Sequence, residues 1–271
     1  MTDFLRLAAD IAREAGDMLL AKRTARPEAI ETKSSRTDVV TALDRASEEL
    51  IRQRVGAERP HDAFLGEEEG ETAGAETGEG RVRWIVDPID GTVNFMYGLP
   101  DWAVSIAVEV DGEVVAGVVN VPARGELYAA AKGGGAELLR EGVAAERLRC
   151  TAGVPLAEAL IATGFGYLPE RRAVQAEVLT RVLPVVRDIR RGGSCAVDLC
   201  SVAAGRVDGY YERGPQIWDF AAGGLIAVEA GARIGGLNGR PQSRKLTLCA
   251  APGLFQDLHD LLVPLNPERD L

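Results

Sequence analysis

Two aspartates stand three residues apart in WIVDPIDGTVNF (84–95), at the end of an otherwise apolar segment. Val82, Trp84, Ile85 and Val86 carry the β-branched and aromatic bias of a buried strand. Pro88 has no N–H to give a ladder, so the strand is expected to stop at Asp87. Asp90-Gly91 reads as a turn pair. Asp87 and Asp90 thus sit at a strand's end, where α/β folds tend to place their chemistry.

Other acids occupy comparable places. Glu67 and Glu68 follow the short strand-like Phe64-Leu65, and Asp219 opens a helical segment after Trp218. Singly, Glu68 and Glu69 read as solvated loop acids and Asp219 as a helix N-cap. Brought together, such carboxylates repel one another and take up protons unless a cation sits between them. An all-oxygen donor set suits Mg²⁺ or Mn²⁺. With only His61 and His259, and no CxxC among Cys150, Cys195, Cys200 and Cys249, no zinc-type cluster can be written. Gly192-Gly193-Ser194 precedes a helix beginning near Cys195, and amides at a helix start can bind phosphate oxygens. The Thr92 hydroxyl could orient a water polarised by a metal at Glu67, so no protein nucleophile is required.

The elements that must position these groups follow from periodicity. Phe4, Ala8, Ile11/Ala12, Ala15 and Met18/Leu19 mark an opening amphipathic helix. Thr41 before Asp44 resembles a capping pattern, and the helix behind it carries Leu43, Ala46, Leu50, Ile51 and Val55. Residues 31–41 are polar and turn-rich, and 69–80, rich in glycine and acid, reads as a mobile surface loop. AVSIAVEV, EVVAGVVNVP and ELYAAAKGGG read as strands, the first two joined by the hairpin pair Asp111-Gly112. Beyond about residue 146 come a helix over 173–183 ended by Pro184, a strand at 188–190, a small-residue helix after the glycine turn, and the strand VDGYYE. A second small-residue helix (WDFAAGGLIAVEAG), a strand in KLTLCAA and a closing helix over 254–262 complete the chain. Alternating helices and strands predict an α/β fold in two halves, about 1–145 and 146–271, forming one unit.

The 271 residues include 41 Asp+Glu against 31 Lys+Arg, a net charge of −10. That argues against a nucleic-acid or anionic-membrane surface. It leaves room for a small anionic substrate if a cation reverses the local sign. No apolar run reaches transmembrane length and the first sixteen residues are interrupted by charge, so a reduced, cytoplasmic protein is expected.

These residues resemble the inositol monophosphatase family of Mg²⁺-dependent, lithium-sensitive phosphatases. DPIDGTVNF (87–95) is similar to that family's first signature and WDFAAGGLIAVEAGARI (218–234) to its second. GEE (66–68), KSSRTDVVTALD (33–44) and RRGGSCAVDLCSVAAGRVDGYYE (190–212) fall in the family's order and spacing. The resemblance implies a layered αβαβα sandwich, a homodimer, and up to three Mg²⁺ held by Glu67, Asp87, the carbonyl of Ile89, Asp90 and Asp219. It implies that Thr92 with Glu67 activates the attacking water and that the Gly91 and Thr92 amides face the phosphate. Gly193, Ser194 and Cys195 would line the substrate, with Asp90, Glu212 and Asp219 near its hydroxyls. Lys33 and Asp44 would belong to a mobile loop and the support of a third metal. Two positions depart from the pattern: a thiol at Cys195, and Ile217 where animal members carry histidine. The implied substrate is a small phosphate ester, inositol 1-phosphate first, with histidinol phosphate, fructose 1,6-bisphosphate and NADP as rivals. Val93-Asn94-Phe95 differs from the Lys-Glu-Phe frequent after DGT in 3′-phosphoadenosine phosphatases. A regulatory protein that kept the fold and lost the activity is the alternative of another class.

Overall fold

The computed structural model describes residues 3–23, 30–32 and 39–270. Its centre is an eight-stranded sheet. β3 (Ala63–Gly66), β4 (Gly70–Thr72) and β5 (Val82–Asp90) form one edge; β6 (Ala103–Val110), β7 (Glu113–Val121), β8 (Glu126–Ala131), β9 (Gly135–Leu139) and β10 (Glu146–Arg147) extend it as a meander. All neighbours are antiparallel except β3 and β5, which run parallel and so deliver their C-terminal ends to one place. Asp111 and Gly112 join β6 to β7 with positive φ at both positions, as the tight hairpin requires. A separate ribbon pairs β1 (Ile30–Thr32) with β2 (Val39–Thr41).

Alternation along β5 assigns the sheet's two faces. Trp84 and Val86 pack toward α1 (Asp3–Lys22) and α2 (Ala42–Glu58), whereas Ile85 faces the opposite layer. That layer is a helix pair, α5 (Cys195–Ala203) and α6 (Ile217–Glu229). On its far side lies a five-stranded sheet in the order β12 (Asp188–Arg190), β11 (Leu160–Thr163), β13 (Gly209–Glu212), β15 (Thr247–Ala250), β14 (Arg233–Gly235). α4 (Pro169–Val182) and α7 (Pro252–Leu262) cover it, giving the αβαβα sandwich. The small residues of α6 let it lie between two sheets. A Cβ on Gly117 of β7 would stand 2.8 Å from the Ala222 carbonyl, and one on Gly223 3.0 Å from Leu199 Cβ.

The structure corrects several sequence expectations. β5 does not stop at Asp87: it continues through Pro88 to Asp90, with a register irregularity between Asp87 and Asp90. Proline is tolerated there because the ladder is already broken. The 69–80 stretch contains β4 and a Thr77–Gly80 bridge. The six-residue helix α3 (Thr92–Tyr97) follows Gly91 directly. The buried stripe of α2 is Asp44, Ser47, Glu48, Ile51 and Val55; Ala46 is exposed and Leu50 only partly buried. Cys195, Cys200 and Cys249 are buried thiols and Cys150 is half-buried, with none paired. Among the described residues, no helix is long and apolar enough to cross a membrane.

Away from the β3–β5 edge, Glu126 on β8 ties the central sheet to the turn after α5. Arg206 donates to both its oxygens, at 2.6 and 2.8 Å, Tyr128 donates at 2.8 Å and Arg140 at 3.2 Å. Burial alone would raise the carboxyl, but Arg206, Tyr128 and Arg140 outweigh it and hold the pKa down from 4.5 to about 2. A depressed folded pKa gives stability that is present above the unfolded value and lost as pH falls through the folded one. Glu126→Gln should therefore destabilise the fold at pH 7, and its deficit relative to wild type should shrink by roughly half or more at pH 3. Urea unfolding at the two pH values measures this.

Candidate active site

The irregularity in β5 is what assembles the acids. In a regular strand, residues three apart point to opposite faces. Between Asp87, paired with Ser105, and Asp90, paired with Ala103, β5 uses three steps where β6 uses two. The extra residue cancels the alternation, and both carboxylates line one cleft of about 460 Å³. The Ile89 side chain remains buried on the α1–α2 side. The Asp87 Oδ1 accepts from the Ile89 amide at 3.0 Å, and the Thr92 hydroxyl donates to the Ile89 carbonyl at 3.0 Å.

Glu67 arrives from the parallel neighbour β3. The turn behind it is clamped by Glu48 of α2, which accepts from the Glu68 amide at 2.8 Å and the Glu69 amide at 3.0 Å and is paired with Arg52 at 2.9 Å. A Cβ at Gly66 would collide with that Glu48 carboxylate. Glu68, expected to be solvated, has a side chain only 4% exposed and stands 3.8 Å from Arg45. Glu48 was missed in the sequence. Its signal was position: Asp44, Glu48, Ile51 and Val55 fall at helical spacing, so the two acids share the stripe that the apolar residues bury.

Asp219 comes from the first turn of α6. Its Oδ2 accepts from the Gln216 amide at 2.6 Å, so the N-cap is Gln216 and Asp219 is the third-position acid of the capping box rather than the N-cap itself, as well as a member of the cluster. Glu67, Asp87 and Asp219 each bring a carboxylate oxygen within 4.8 Å of the others. Asp90 stands beside this trio, anchored elsewhere. Its Oδ2 accepts from the Ser194 hydroxyl at 2.5 Å and the Ala196 amide at 2.6 Å, at the start of α5. The Ser194 hydroxyl also accepts from the Val197 amide at 3.2 Å as the helix cap.

That arrangement changes the part assigned to the glycine turn. The Ala196 and Val197 amides are committed to Asp90 and Ser194, so they are not open to a phosphate. Ser194 is buried and turned onto Asp90, while Gly193 and Cys195 do line the cleft. Gly91, with φ +89°, presses against the same turn: a Cβ there would stand 2.9 Å from the Asp101 carbonyl and 3.2 Å from Ser194 Cβ. Asn94 fastens the two segments, donating to the carbonyls of Asp101 at 2.6 Å and Gly192 at 2.8 Å. Glu212 enters from β13, where its Oε2 accepts from Tyr210 at 2.9 Å. Asp44 is buried in the first turn of α2, and Lys33 lies outside the described residues.

The electrostatics are those of acids crowded away from water. Burial, then the charges of Glu67, Asp90 and Asp219, pushes the Asp87 carboxyl well up. Burial, then Asp90 and Glu67, does the same to Asp219. Burial raises Asp90 to about 6 against the pull of Ser194, the Ala196 and Cys195 amides and Arg191. Burial lifts Glu212 to about 7, and it keeps the Cys195 thiol protonated. Oxygen donors converging at this spacing, and disfavoured as anions on their own, fit a hard divalent cation.

Folded-state pKa values above the unfolded ones mean that ionising the cluster costs stability as pH rises past the ordinary carboxylate range. A bound dication offsets that cost. Millimolar Mg²⁺ should raise the Tm by several degrees at pH 8 and by less at pH 5, and the Asp87→Asn/Asp219→Asn variant should lose most of the increment. Scanning calorimetry reads all three.

Comparison with known proteins places this geometry. The sequence model of the inositol monophosphatase family matches residues 1–265. The inositol-1-monophosphatase of Mycobacterium bovis is 51% identical over 242 residues, 88% of this chain and 82% of its own. The Nus factor SuhB of Pasteurella multocida is 39% identical over 267 residues, 97% of each chain. Among solved structures, Mycobacterium tuberculosis SuhB superposes with a TM-score of 0.82 at 44% identity, over 98% of both chains. Inositol monophosphate bound SaIMPase-II superposes with a TM-score of 0.76 at 27% identity, over 99% of both. With sequence and fold agreeing along nearly the whole length, the chain belongs to the inositol monophosphatase family.

Proposed function

We propose that this chain is a Mg²⁺-dependent phosphatase of small phosphate monoesters, with myo-inositol 1-phosphate as the first substrate. The observation that carries the reading is the convergence of Glu67, Asp87 and Asp219 within 4.8 Å at the floor of a cleft that Asp90, Thr92 and Glu212 also line. Mg²⁺, or Mn²⁺ in its place, would be held by these carboxylates, Asp90 and the Ile89 carbonyl, and when bound supplies Lewis-acid polarisation and a lowered water pKa.

The chain's own groups do the rest. Thr92 gives its hydroxyl proton to the Ile89 carbonyl, so its oxygen lone pairs are left to accept from a water and orient it. Glu67, which lines the same cleft, would take that water's proton. Gly91 and Thr92 line the cleft, and their amides would face the phosphate. Glu212, held by Tyr210 through one oxygen, keeps the other for a polyol hydroxyl. The protonated Cys195 thiol contributes lining rather than a nucleophile. Support for the inositol ester comes from the mycobacterial relatives named inositol-1-monophosphatase and from the inositol monophosphate bound neighbour.

A second reading has its own ground: relatives 39% identical carry the name Nus factor SuhB. On that reading the chain is a regulatory protein on the same fold, and hydrolysis is incidental or absent.

Phosphate release separates the two. Inositol 1-phosphate, histidinol phosphate and NADP are each incubated with Mg²⁺, with chelator, and with Asp90→Asn. The expected result is Mg²⁺-dependent release, fastest from inositol 1-phosphate, falling on the order of a hundredfold in the variant. No release from any ester by folded, Mg²⁺-supplied protein would reject the phosphatase and favour the regulatory reading.

A further inference from the structure

The end of the cleft that holds Glu212 is walled by two loops from neighbouring strands. Loop 164–168 joins β11 to α4, and loop 213–216 joins β13 to α6. Gly164 and Gly166 of the first and Gly214 and Pro215 of the second line the cleft with Glu212. The parallel register of β11 and β13 ends at Thr163 opposite Tyr211, where the Thr163 hydroxyl donates to the Tyr211 carbonyl at 2.7 Å. Beyond that pair a side chain joins the loops. Gln175 of α4 accepts from the Gly166 amide at 2.9 Å through its Oε1. Its Nε2 donates to the Arg213 carbonyl at 3.1 Å and the Gly164 carbonyl at 3.4 Å. One side-chain amide thus holds three backbone groups on two loops, with both N–H groups and the oxygen engaged.

Gln175 is buried, and it shares the buried stripe of α4 with Val174, Val178 and Val182. A polar side chain among valines is costly unless its hydrogen bonds are made, so the bridge is a specific one. Gln175 does not itself line the cleft, but the loops it joins bear on Glu212. A Cβ on Gly164 would collide with the Glu212 carboxylate. Gln175 and Glu212 also line a cavity of only about 10 Å³, so a shift of loop 164–168 is passed on to the carboxylate rather than absorbed. The far side of the bridge is braced. Arg213 is buried and donates to the Arg269 carbonyl and the Asp270 carboxylate, and Arg269 pairs with Glu177 of α4.

We propose that Gln175 is a positioning residue for the alcohol half of the substrate. Its amide sets the spacing of the two loops and so holds Glu212 where it can accept from a polyol hydroxyl. The proposal rests on the phosphatase reading, and it assigns Gln175 to recognition of the polyol rather than to cleavage of the ester.

The test compares kcat and KM, with Mg²⁺, for inositol 1-phosphate and for 4-nitrophenyl phosphate, an aryl ester with no hydroxyl for Glu212 to hold. Gln175→Met keeps the length of the side chain and removes all three bonds. KM for inositol 1-phosphate should rise about tenfold with kcat within about threefold of wild type, and kcat/KM for the aryl ester should stay within about threefold. A double-mutant cycle shows whether the effect runs through the carboxylate. Added to Glu212→Ala, Gln175→Met should raise KM for inositol 1-phosphate by less than about threefold more, because the group it positions is already gone. An equal loss for both esters, a KM unchanged within twofold, or losses that multiply in full in the double variant would overturn the proposal. If Gln175→Met does not fold, Gln175→Glu, which keeps only the bond from the Gly166 amide, carries the same comparisons. If wild type does not hydrolyse inositol 1-phosphate, the phosphatase reading fails separately, and calorimetry with Mg²⁺ decides the positioning. Binding of inositol 1-phosphate about tenfold weaker in the Gln175 variant, with binding of inorganic phosphate unchanged, supports it. No loss specific to the polyol ester overturns it.

Discussion

Repulsion among carboxylates that the fold cannot move apart is the constraint around which the rest of this molecule is arranged. Asp87 is buried, Glu67 and Asp219 are half-buried against it, and Asp90 stands alongside. Burying such groups as anions is costly unless hydrogen bonds and an opposite charge compensate. The chain supplies hydrogen bonds from its own backbone: the Ile89 amide to Asp87, the Gln216 amide to Asp219 and the Ala196 amide to Asp90. Two of these come from helix starts, where the macrodipole also favours negative charge. The remaining deficit is what a hard dication is suited to fill. Any substitution that relieves the repulsion also removes a carboxylate from the cluster that could hold such a cation.

Delivering four acids to one place requires several features that look unrelated in isolation. The parallel pairing of β3 with β5 sends Glu67 and Asp87 to the same end. The one-residue irregularity at Pro88-Ile89 brings Asp90 back to the side of Asp87. The small residues of α6 let its N-terminus, and hence Asp219, approach from the opposite layer. The close approaches at Gly117 and Gly223 leave no space for a side chain that would push the helix away. The Asn94 clasp and the Ser194 hydroxyl then join the two halves across the cleft.

Much of this was legible in the sequence, and the exceptions have physical reasons. Glu67, Asp87, Asp90 and Asp219 stood out because polar residues at the ends of apolar runs have few structural uses, and Thr92 by its place after Asp90, whereas Glu212 came only from the family resemblance. The continuation of β5 through Pro88 was not legible, because a proline's cost depends on whether its neighbour strand needs the missing N–H. The role of the glycine turn was misread for a related reason. Amides at a helix start are open donors only if no side chain reaches them, and Asp90 arrives from more than a hundred residues away. Glu48 was overlooked because an acid inside an amphipathic helix is normally solvated. Only its membership of the buried stripe marks it as a clamp.

The charge pattern shows why a strongly acidic chain can serve an anionic substrate. Net charge governs long-range approach, whereas recognition depends on the local field within about a Debye length. Here the two signs are sorted along the cleft. The acids collect where a cation would turn them into an electrophilic floor, and Arg171, Arg191 and Arg244 also line the cleft, Arg171 against Gly166 and Gly214. The rest of the lining mixes glycines with Phe165, Tyr167, Leu168, Pro215 and Trp218, none of which carries a fixed charge. Burial raises the carboxyls of Asp90, Asp198 and Glu212, and the charge of Arg191 opposes that rise in each. With a cation on the floor, an anion in the cleft would meet positive charge there and from these arginines.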